Sequence, residues 1–307
     1  MKTEYRHIPV MLDEVTKIFG DMQGKLFVDC TLGGAGHSAV LEKNGAQIIG
    51  IDQDLRALEA AEKKLKHPIL INDNFGNLDE ILTSLNIPGI DGCLMDLGLS
   101  SAQIDVISRG FSFKENCPLD MRMNPEQQTL NVAKIVNSYG TDDLIRVLRD
   151  FSQEKFSYEI ALEIVKYREK KNIETSGELV EIIKKAIPAP ARRKGGHPAK
   201  RTFQALRIEV NDELKMLKKG LDASIRWLNS SGKIVVICYH SLEDKIVKDT
   251  FASMVKRCTC PPDLPKCVCG MKPVLKLITN GALKPSLTEI EENPRSRSAK
   301  LRGVEKL

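Results

Sequence analysis

Four short apolar runs, at residues 26 to 30, 47 to 51, 69 to 72 and 91 to 97, alternate with helical patterns such as "DLRALEAAEKKLK" and "NLDEILTSL". This alternation constrains the fold more than any other feature, because strands joined by crossover helices pair in parallel. A further strand, "GKIVVICYH" (232 to 240), comes much later, and "PVLKLIT" and "AKLRGVEKL" are candidates to close the sheet. Between 106 and about 203 the strands stop. There "NVAKIVNSY", "DDLIRVLRDF", "YEIALEIVKYREK" and "GELVEIIKKAI" read as amphipathic helices. The expected organisation is an α/β sheet domain from 1–105 and 204–307 with a helical insert at 106–203, the insert being a candidate for substrate recognition. After it, "RTFQALRIEVNDELKMLKKGLDASIRWL" reads as one long helix returning to the sheet.

The first two strands frame "VDCTLGGAGHSAVLEKNGAQIIGIDQD", residues 28 to 54. Gly33, Gly34 and Gly36 let backbone approach a ligand that a Cβ would block, and Asp52, at the end of the second strand, is placed to accept hydrogen bonds from ribose hydroxyls. A dinucleotide fingerprint needs G-x-G-x-x-G with a helix N-terminus aimed at pyrophosphate, and "GGAGHS" does not match that spacing. S-adenosylmethionine has no phosphate and does not demand it. Asp29, before the glycines, also suits that cofactor's ammonium group. The residues therefore favour S-adenosylmethionine over NAD.

At the next strand end, "DGCLMDLGLSSAQID" puts Asp96 at the carboxyl edge of the fourth strand, where open α/β sheets bind ligands, with Gly98 and Ser100 following. A carboxylate there accepts hydrogen bonds from an amine of the cofactor or of a substrate base. Alone, such an Asp is as well explained as a helix cap.

Charge is concentrated. The segment "PAPARRKGGHPAKRT" (188 to 202) carries Arg192, Arg193, Lys194, Lys200 and Arg201 and no acid, and these five of 46 bases leave bases and acids elsewhere equal at 41. A second acid-free run, "NPRSRSAKLR" (293 to 302), adds Arg295, Arg297, Lys300 and Arg302. Such patches concentrate phosphate affinity, and the first is taken as the RNA-binding candidate. Four of the eight cysteines, Cys30, Cys93, Cys117 and Cys238, are scattered, and a reduced, mostly buried thiol is the expectation for them. Cys258, Cys260, Cys267 and Cys269 could supply four thiolates to zinc, but their Cys-x-Cys spacing favours a proline-stiffened loop, and no metal is assigned. No apolar run approaches the roughly 20 residues of a membrane helix and no export signal is visible, so a cytoplasmic protein is expected.

"TLGGAGHS", "DLGLSS", "RGFSF", "PLDMRM", "HPAKRTFQALRI", "YHSLEDKIVK" and "ENPRSRSAKLR" together resemble the successive signatures of the RsmH (MraW) family of bacterial methyltransferases, which act on the exocyclic amino (N4) group of a cytidine in 16S ribosomal RNA. The resemblance runs from "HIPVML" to the last ten residues. It implies a class I, Rossmann-like methyltransferase sheet with a helical domain inserted after the fourth strand. It also implies cofactor contacts at Ala35, Gly36, His37, Asp52, Phe75, Asp96 and Gln103, and the small ribosomal subunit as partner. Two departures stand out: Ala35 replaces a family glycine, and Cys238 and Tyr239 precede His240 where the family commonly has "SF".

The amino nitrogen of cytosine shares its lone pair with the ring, so the site needs well-placed acceptors rather than a strong base. Asp96, with Ser100 and His240, forms the expected catalytic group, and Phe111, Phe113 and Tyr239 are candidates to stack on the base. His240 is equally well placed to cap the helix "SLEDKIVKDTF". Two other readings are weighed: a non-catalytic ribosome-assembly factor that binds RNA, and an NAD-dependent oxidoreductase.

Overall fold

The protein is described from a computed structural model, covering residues 9–99, 103, 106–113, 116–193, 196–256, 269 and 272–307. The chain divides into two compact units, one made of the residues up to Gly98 together with Leu214–Leu307, the other of Leu99–Glu213.

The first unit is built on a seven-stranded sheet with β1 at Leu26–Asp29, β2 at Gln47–Asp52, β3 at Ile69–Asn72, β4 at Ile90–Asp96, β5 at Leu228–Cys238, β6 at Leu275–Leu277 and β7 at Lys300–Lys306. The order is β3-β2-β1-β4-β5-β7-β6. β1 to β5 run parallel, while β7 is antiparallel to both β5 and β6. The strands read as nearly continuous apolar runs because both faces are covered. On β4 and β5, Cys93, Met95, Ile234 and Val236 point into one core with Leu217, Leu221 and Phe251, whereas Leu94, Val235 and Ile237 point into the other with Val15, Ile18 and Leu41. The covering helices include α1 (Leu12–Phe19), α2 (Gly36–Lys43), α3 (Leu55–Glu62) and α4 (Leu78–Ser84). Each fully buried Leu, Ile or Phe in these layers contributes about 1.5 to 3 kcal/mol. No helix among the described residues is long and apolar enough to cross a membrane.

In the second unit, α5 (Val132–Ser138), α6 (Thr141–Ser152), α7 (Ser157–Arg168), α8 (Ser176–Ala186), the short α9 (Ala189–Arg192) and α10 (Lys200–Asn211) surround a separate core. Ile160 and Ile164, one turn apart on α7, meet Leu144, Val147 and Leu148 of α6 and Leu179 and Ile183 of α8 in it. The motifs "RGFSF" and "PLDMRM" form part of this scaffold. Arg122 forks onto Asp120 at 2.7 and 2.8 Å, and Arg109 donates to the carbonyls of Arg122 and Met123 at 3.1 and 3.0 Å.

The single long helix expected after the insert is instead two, α10 and α11 (Glu213–Trp227), separated by Asp212 in the left-handed region at φ 50°. Asp tolerates that conformation better than most residues. Both flanking stretches are amphipathic, but α10 buries Phe203, Leu206 and Val210 in the insert core, whereas α11 buries Leu217 and Leu221 against the sheet. The units accordingly divide at 98/99 and 213/214, where the sequence pattern places the breaks at 105/106 and 203/204.

Candidate cofactor and active site

The parallel pairing of β2, β1 and β4 brings three acids, Asp52, Asp29 and Asp96, to the carboxyl ends of adjacent strands. Backbone and side-chain bonds then tie these ends together. The backbone N–H of Asp96 donates to Thr31 Oγ1 at 2.7 Å, that of Cys30 to the Leu94 carbonyl at 2.9 Å, and that of Leu32 to the Ile51 carbonyl at 3.1 Å.

The loop between β1 and α2 needs its small residues. Gly33 lies at φ 49°, and a Cβ on Gly36 would stand 2.6 Å from Pro9 Cγ. Ala35 adopts φ 51°, ψ 36° as the residue preceding α2, a left-handed conformation in which an alanine accepts strain that a glycine would not. Asp52 closes the loop: its Oδ2 accepts from the Gly33 N–H at 2.8 Å and its Oδ1 from the Asp54 N–H at 2.9 Å. Each oxygen keeps a second lone pair. Burial raises this carboxyl to about 6, the two backbone donors only partly offsetting the desolvation.

Asp29 is 2% exposed. Its Oδ2 accepts from the Ser38 hydroxyl at 2.6 Å and its Oδ1 from the Thr31 N–H at 3.2 Å. Burial raises its pKa, and the Ser38 hydrogen bond opposes that rise. The His37 ring, 5% exposed, gives its Nε2–H to the Val10 carbonyl at 2.9 Å, which leaves Nδ1 as the ring's acceptor, 3.8 Å from Asp96 Oδ2. Burial lowers the His37 pKa and keeps the ring neutral.

Asp96 Oδ1 accepts from the Tyr239 phenol at 2.7 Å. Tyr239 therefore meets the acid edge-on through its hydroxyl. Phe111 is buried in the core of the second unit, and Phe113 there stacks on His197 with ring centroids 4.8 Å apart and planes 25° from parallel. Phe75, half-buried, lays its ring on Gly220 of α11: a Cβ there would lie 2.6 Å from Cδ2.

His240 caps α12 (Ser241–Lys256). Its Nδ1 accepts from the Glu243 N–H at 3.3 Å, while Glu243 Oε2 accepts from the N–H groups of Tyr239 and His240 at 2.7 and 3.1 Å. This is the reciprocal capping arrangement, with histidine in the place of the usual hydroxyl residue. Glu243, Thr31 and Ser38 escaped sequence reasoning. Only Glu243 had a signal, an acid three residues after a capping position. Gln103 is 7% exposed in the second unit, and Ser100 lies outside the described residues, as do Cys258, Cys260 and Cys267 of the cysteine cluster.

Of the basic segment, Arg192 and Arg193 end the short α9 and Lys200 and Arg201 begin α10, all four exposed; Lys194 lies outside the described residues. The second basic run is different. Lys300 and Arg302 on β7 hold Asp244 of α12 at 2.9 and 2.7 Å, so two of its four cations serve the fold.

The donor set discriminates between ligands. Among the described residues no Lys or Arg hydrogen-bonds Asp29 or Asp52, and buried carboxylates at these strand ends suit a cation and a diol rather than a pyrophosphate. S-adenosylmethionine carries an ammonium, a sulfonium and a ribose diol, and these residues fit it. Asp29 and Asp96 would meet its cationic part and Asp52 its ribose. A Rossmann-like sheet whose strand ends carry this set is that of a class I S-adenosylmethionine-dependent methyltransferase.

The chain belongs to the MraW methylase family, whose profile matches residues 4–307. A relative from Clostridium botulinum (strain Kyoto / Type A2), a ribosomal RNA small subunit methyltransferase H, is 50% identical over 99% of this chain and 100% of its own. A second of the same name from strain 657 / Type Ba4 is 49% identical with the same coverage. A solved structure of a putative rRNA-methylase from Clostridium thermocellum aligns over 98% of this chain and 100% of its own at 11% identity and a TM-score of 0.44, a likeness too distant to bear on the site. Family membership supports a methyltransferase and favours neither the oxidoreductase nor the non-catalytic alternative.

Proposed function

We propose that this protein methylates the exocyclic N4 amino group of one cytidine in 16S ribosomal RNA, acting on the small ribosomal subunit. The relatives' names supply the ribosomal RNA of the small subunit. The observation that carries the chemistry is the Asp96 carboxylate at the end of β4, with one oxygen engaged by Tyr239 and its side chain 13% exposed.

S-adenosylmethionine, when bound, supplies the electrophilic methyl group. Asp96 accepts the N–H hydrogen bonds of the amine, holds its lone pair toward that methyl, and takes up the proton that the nitrogen sheds. His37, neutral and fixed through Val10, contributes no competing cation beside Asp96. Phe75, backed by Gly220, offers a half-buried ring beside which an adenine can lie. The helical unit, with Arg192, Arg193, Lys194, Lys200 and Arg201, grips the RNA. Ser100 follows Asp96 closely enough in sequence to share in holding the base.

The test is mass spectrometry of 16S ribosomal RNA nucleosides from cells with and without the protein. Loss of N4-methylcytidine on deletion, restored by the wild type and not by Asp96→Asn, is expected; unchanged nucleosides would refute the assignment.

A further inference from the structure

We infer that Glu289 is a positioning residue for S-adenosylmethionine: through the single peptide group joining Val10 to Met11 it fixes the His37 ring, so that Nδ1 stands as an acceptor for the cofactor's ammonium. The inference rests on the reading of His37 as a cofactor contact, and it does not depend on which RNA base is methylated.

Glu289 is the third residue of α13 (Leu287–Glu292), whose N-cap is Ser286. The sequence "SLTE" is that of a capping box, in which the acid reaches back to the backbone of its own cap, as Glu178 does at Thr175 of α8. Half of that pattern is present, the Glu289 N–H donating to Ser286 Oγ at 3.1 Å. The acid's Oε1, however, accepts from the backbone N–H of Met11 at 2.7 Å, 278 residues earlier in the chain. A local capping signal has become a long-range tie.

The tied segment does not hold itself. Met11 precedes α1 in the left-handed region, at φ 53° and ψ 38°, with no side-chain cap bond to the helix. That conformation is strained for a methionine and persists only where the surroundings impose it. They do so here: Val10 and Met11 are both buried, and Pro9 lies against Gly36 of the cofactor loop.

The other end of the same peptide group belongs to the site. The Met11 N–H and the Val10 C=O are one amide, and the carbonyl meets His37 Nε2 at 2.9 Å. A carboxylate drawing on the N–H polarises the amide and makes its oxygen the stronger acceptor. A carbonyl has no proton to give, so Nε2 carries the hydrogen. Burial, outweighing the opposite pull of Asp29 and Glu289, keeps the ring neutral, and Nδ1 is left with its lone pair. His37 stands in the first turn of α2, directly after the glycine loop, so a shift of this peptide passes straight to the residues that cradle the cofactor.

The experiment applies calorimetry of S-adenosylmethionine binding, thermal denaturation and long-range proton–nitrogen NMR of the histidine rings to Glu289→Ala, Glu289→Asp and Glu289→Gln, and to His37→Ala with and without Glu289→Ala. The His37→Ala spectrum identifies the His37 signals among the five histidines. Positioning requires an acceptor at the right distance rather than a charge. Glu289→Ala should weaken cofactor binding about ten-fold and release the His37 nitrogens from the fixed Nε2–H pattern. Glu289→Asp, whose carboxylate is drawn back by one methylene, should do nearly the same. Glu289→Gln keeps the oxygen and loses the charge, and should stay within about two-fold of wild type. In the His37→Ala background Glu289→Ala should add nothing. If the Ala chain does not fold, the Asp and Gln chains decide between them. Lower thermal midpoints with unchanged affinity and unchanged His37 signals would make Glu289 a staple of the fold only and overturn the inference. An Asp variant that binds like wild type beside a Gln variant that does not would overturn it too, as the mark of a charge acting at a distance. Wild-type affinity in His37→Ala would overturn the reading of His37 on which the inference rests, while leaving the proposed methyl transfer in place.

Discussion

The backbone N–H of Gly33 donates to Asp52 Oδ2 over 2.8 Å, so the glycine loop after β1 and the acid ending β2 form one hydrogen-bonded unit. The acid proposed to meet the ribose thus also sets the path of the loop. Asp52→Ala should weaken S-adenosylmethionine binding by about 1.5 to 3 kcal/mol, the range for losing hydrogen bonds to a charged group. Isothermal calorimetry measures this directly, and unchanged affinity would remove Asp52 from the site.

A pH dependence follows from the same carboxyl. Its folded-state pKa, about 6, lies above the ordinary 3.8. Its contribution to stability is therefore fully present below the unfolded value and is lost as pH rises through about 6. Hydroxyl donors on the cofactor favour the ionised form, so binding near pH 6 should release protons and affinity should fall as pH drops below that point. Calorimetry in two buffers of different ionisation enthalpy counts the protons. A wild-type release near pH 6 that vanishes in Asp52→Ala is expected; equal release in both would assign it elsewhere.

Ala35 offers a test of the loop itself. At φ 51° an alanine is strained and a β-branched residue far more so. Ala35→Gly relieves the strain but loosens the unfolded chain and loses a buried methyl, so stability should change by less than about 1 kcal/mol. Ala35→Val should lower it by about 2 kcal/mol or more, through backbone strain and overpacking at a site with no exposed surface. Thermal denaturation of the two variants distinguishes this from an ordinary helix start, where Val would be tolerated.

The strands were legible because burial on both faces writes itself into sequence as apolar runs, and the acids at their ends because a parallel sheet gathers its carboxyl ends on one edge. The break at Asp212 was not legible: the residues on either side form helix equally well, and only the identity of the core each half packs into separates them. Nor was the bond between Tyr239 and Asp96, which are 143 residues apart and meet only because β5 lies beside β4. Lys300 and Arg302 misled in the opposite sense, since a run without acids looks solvated until Asp244, 56 and 58 residues earlier, is folded against it.

That ion cluster predicts a stability effect. Burial would raise the Asp244 carboxyl, but hydrogen bonds from Arg302 and Lys300 hold it below the ordinary range. Its contribution is thus present above the unfolded pKa and lost as pH falls through the folded one. Asp244→Ala leaves two partly buried cations without their acceptor and should cost about 2 kcal/mol. Urea denaturation at pH 7 should show the loss, and the difference between variant and wild type should shrink as pH falls below the ordinary carboxylate range. No difference at pH 7 would mean that the cluster is no more than a surface ion pair.

The exposed basic segment should behave in the contrary way, contributing to binding and not to stability. Arg192, Arg193, Lys200 and Arg201 project from the ends of α9 and α10 into solvent. If they meet RNA phosphates, each contact releases counterions and adds up to about 0.9 to the slope of log affinity against log salt for duplex, less for single strands. Replacing Arg192, Arg193 and Lys194 with Ala should therefore weaken binding to the small subunit and flatten that slope, while the thermal midpoint and the affinity for S-adenosylmethionine stay where they are. Binding across a salt series for wild type and triple variant is the measurement. Superimposable slopes would return the segment to an ordinary solvated turn, and the RNA contact would then have to be sought at Arg295 and Arg297 or elsewhere on the helical unit.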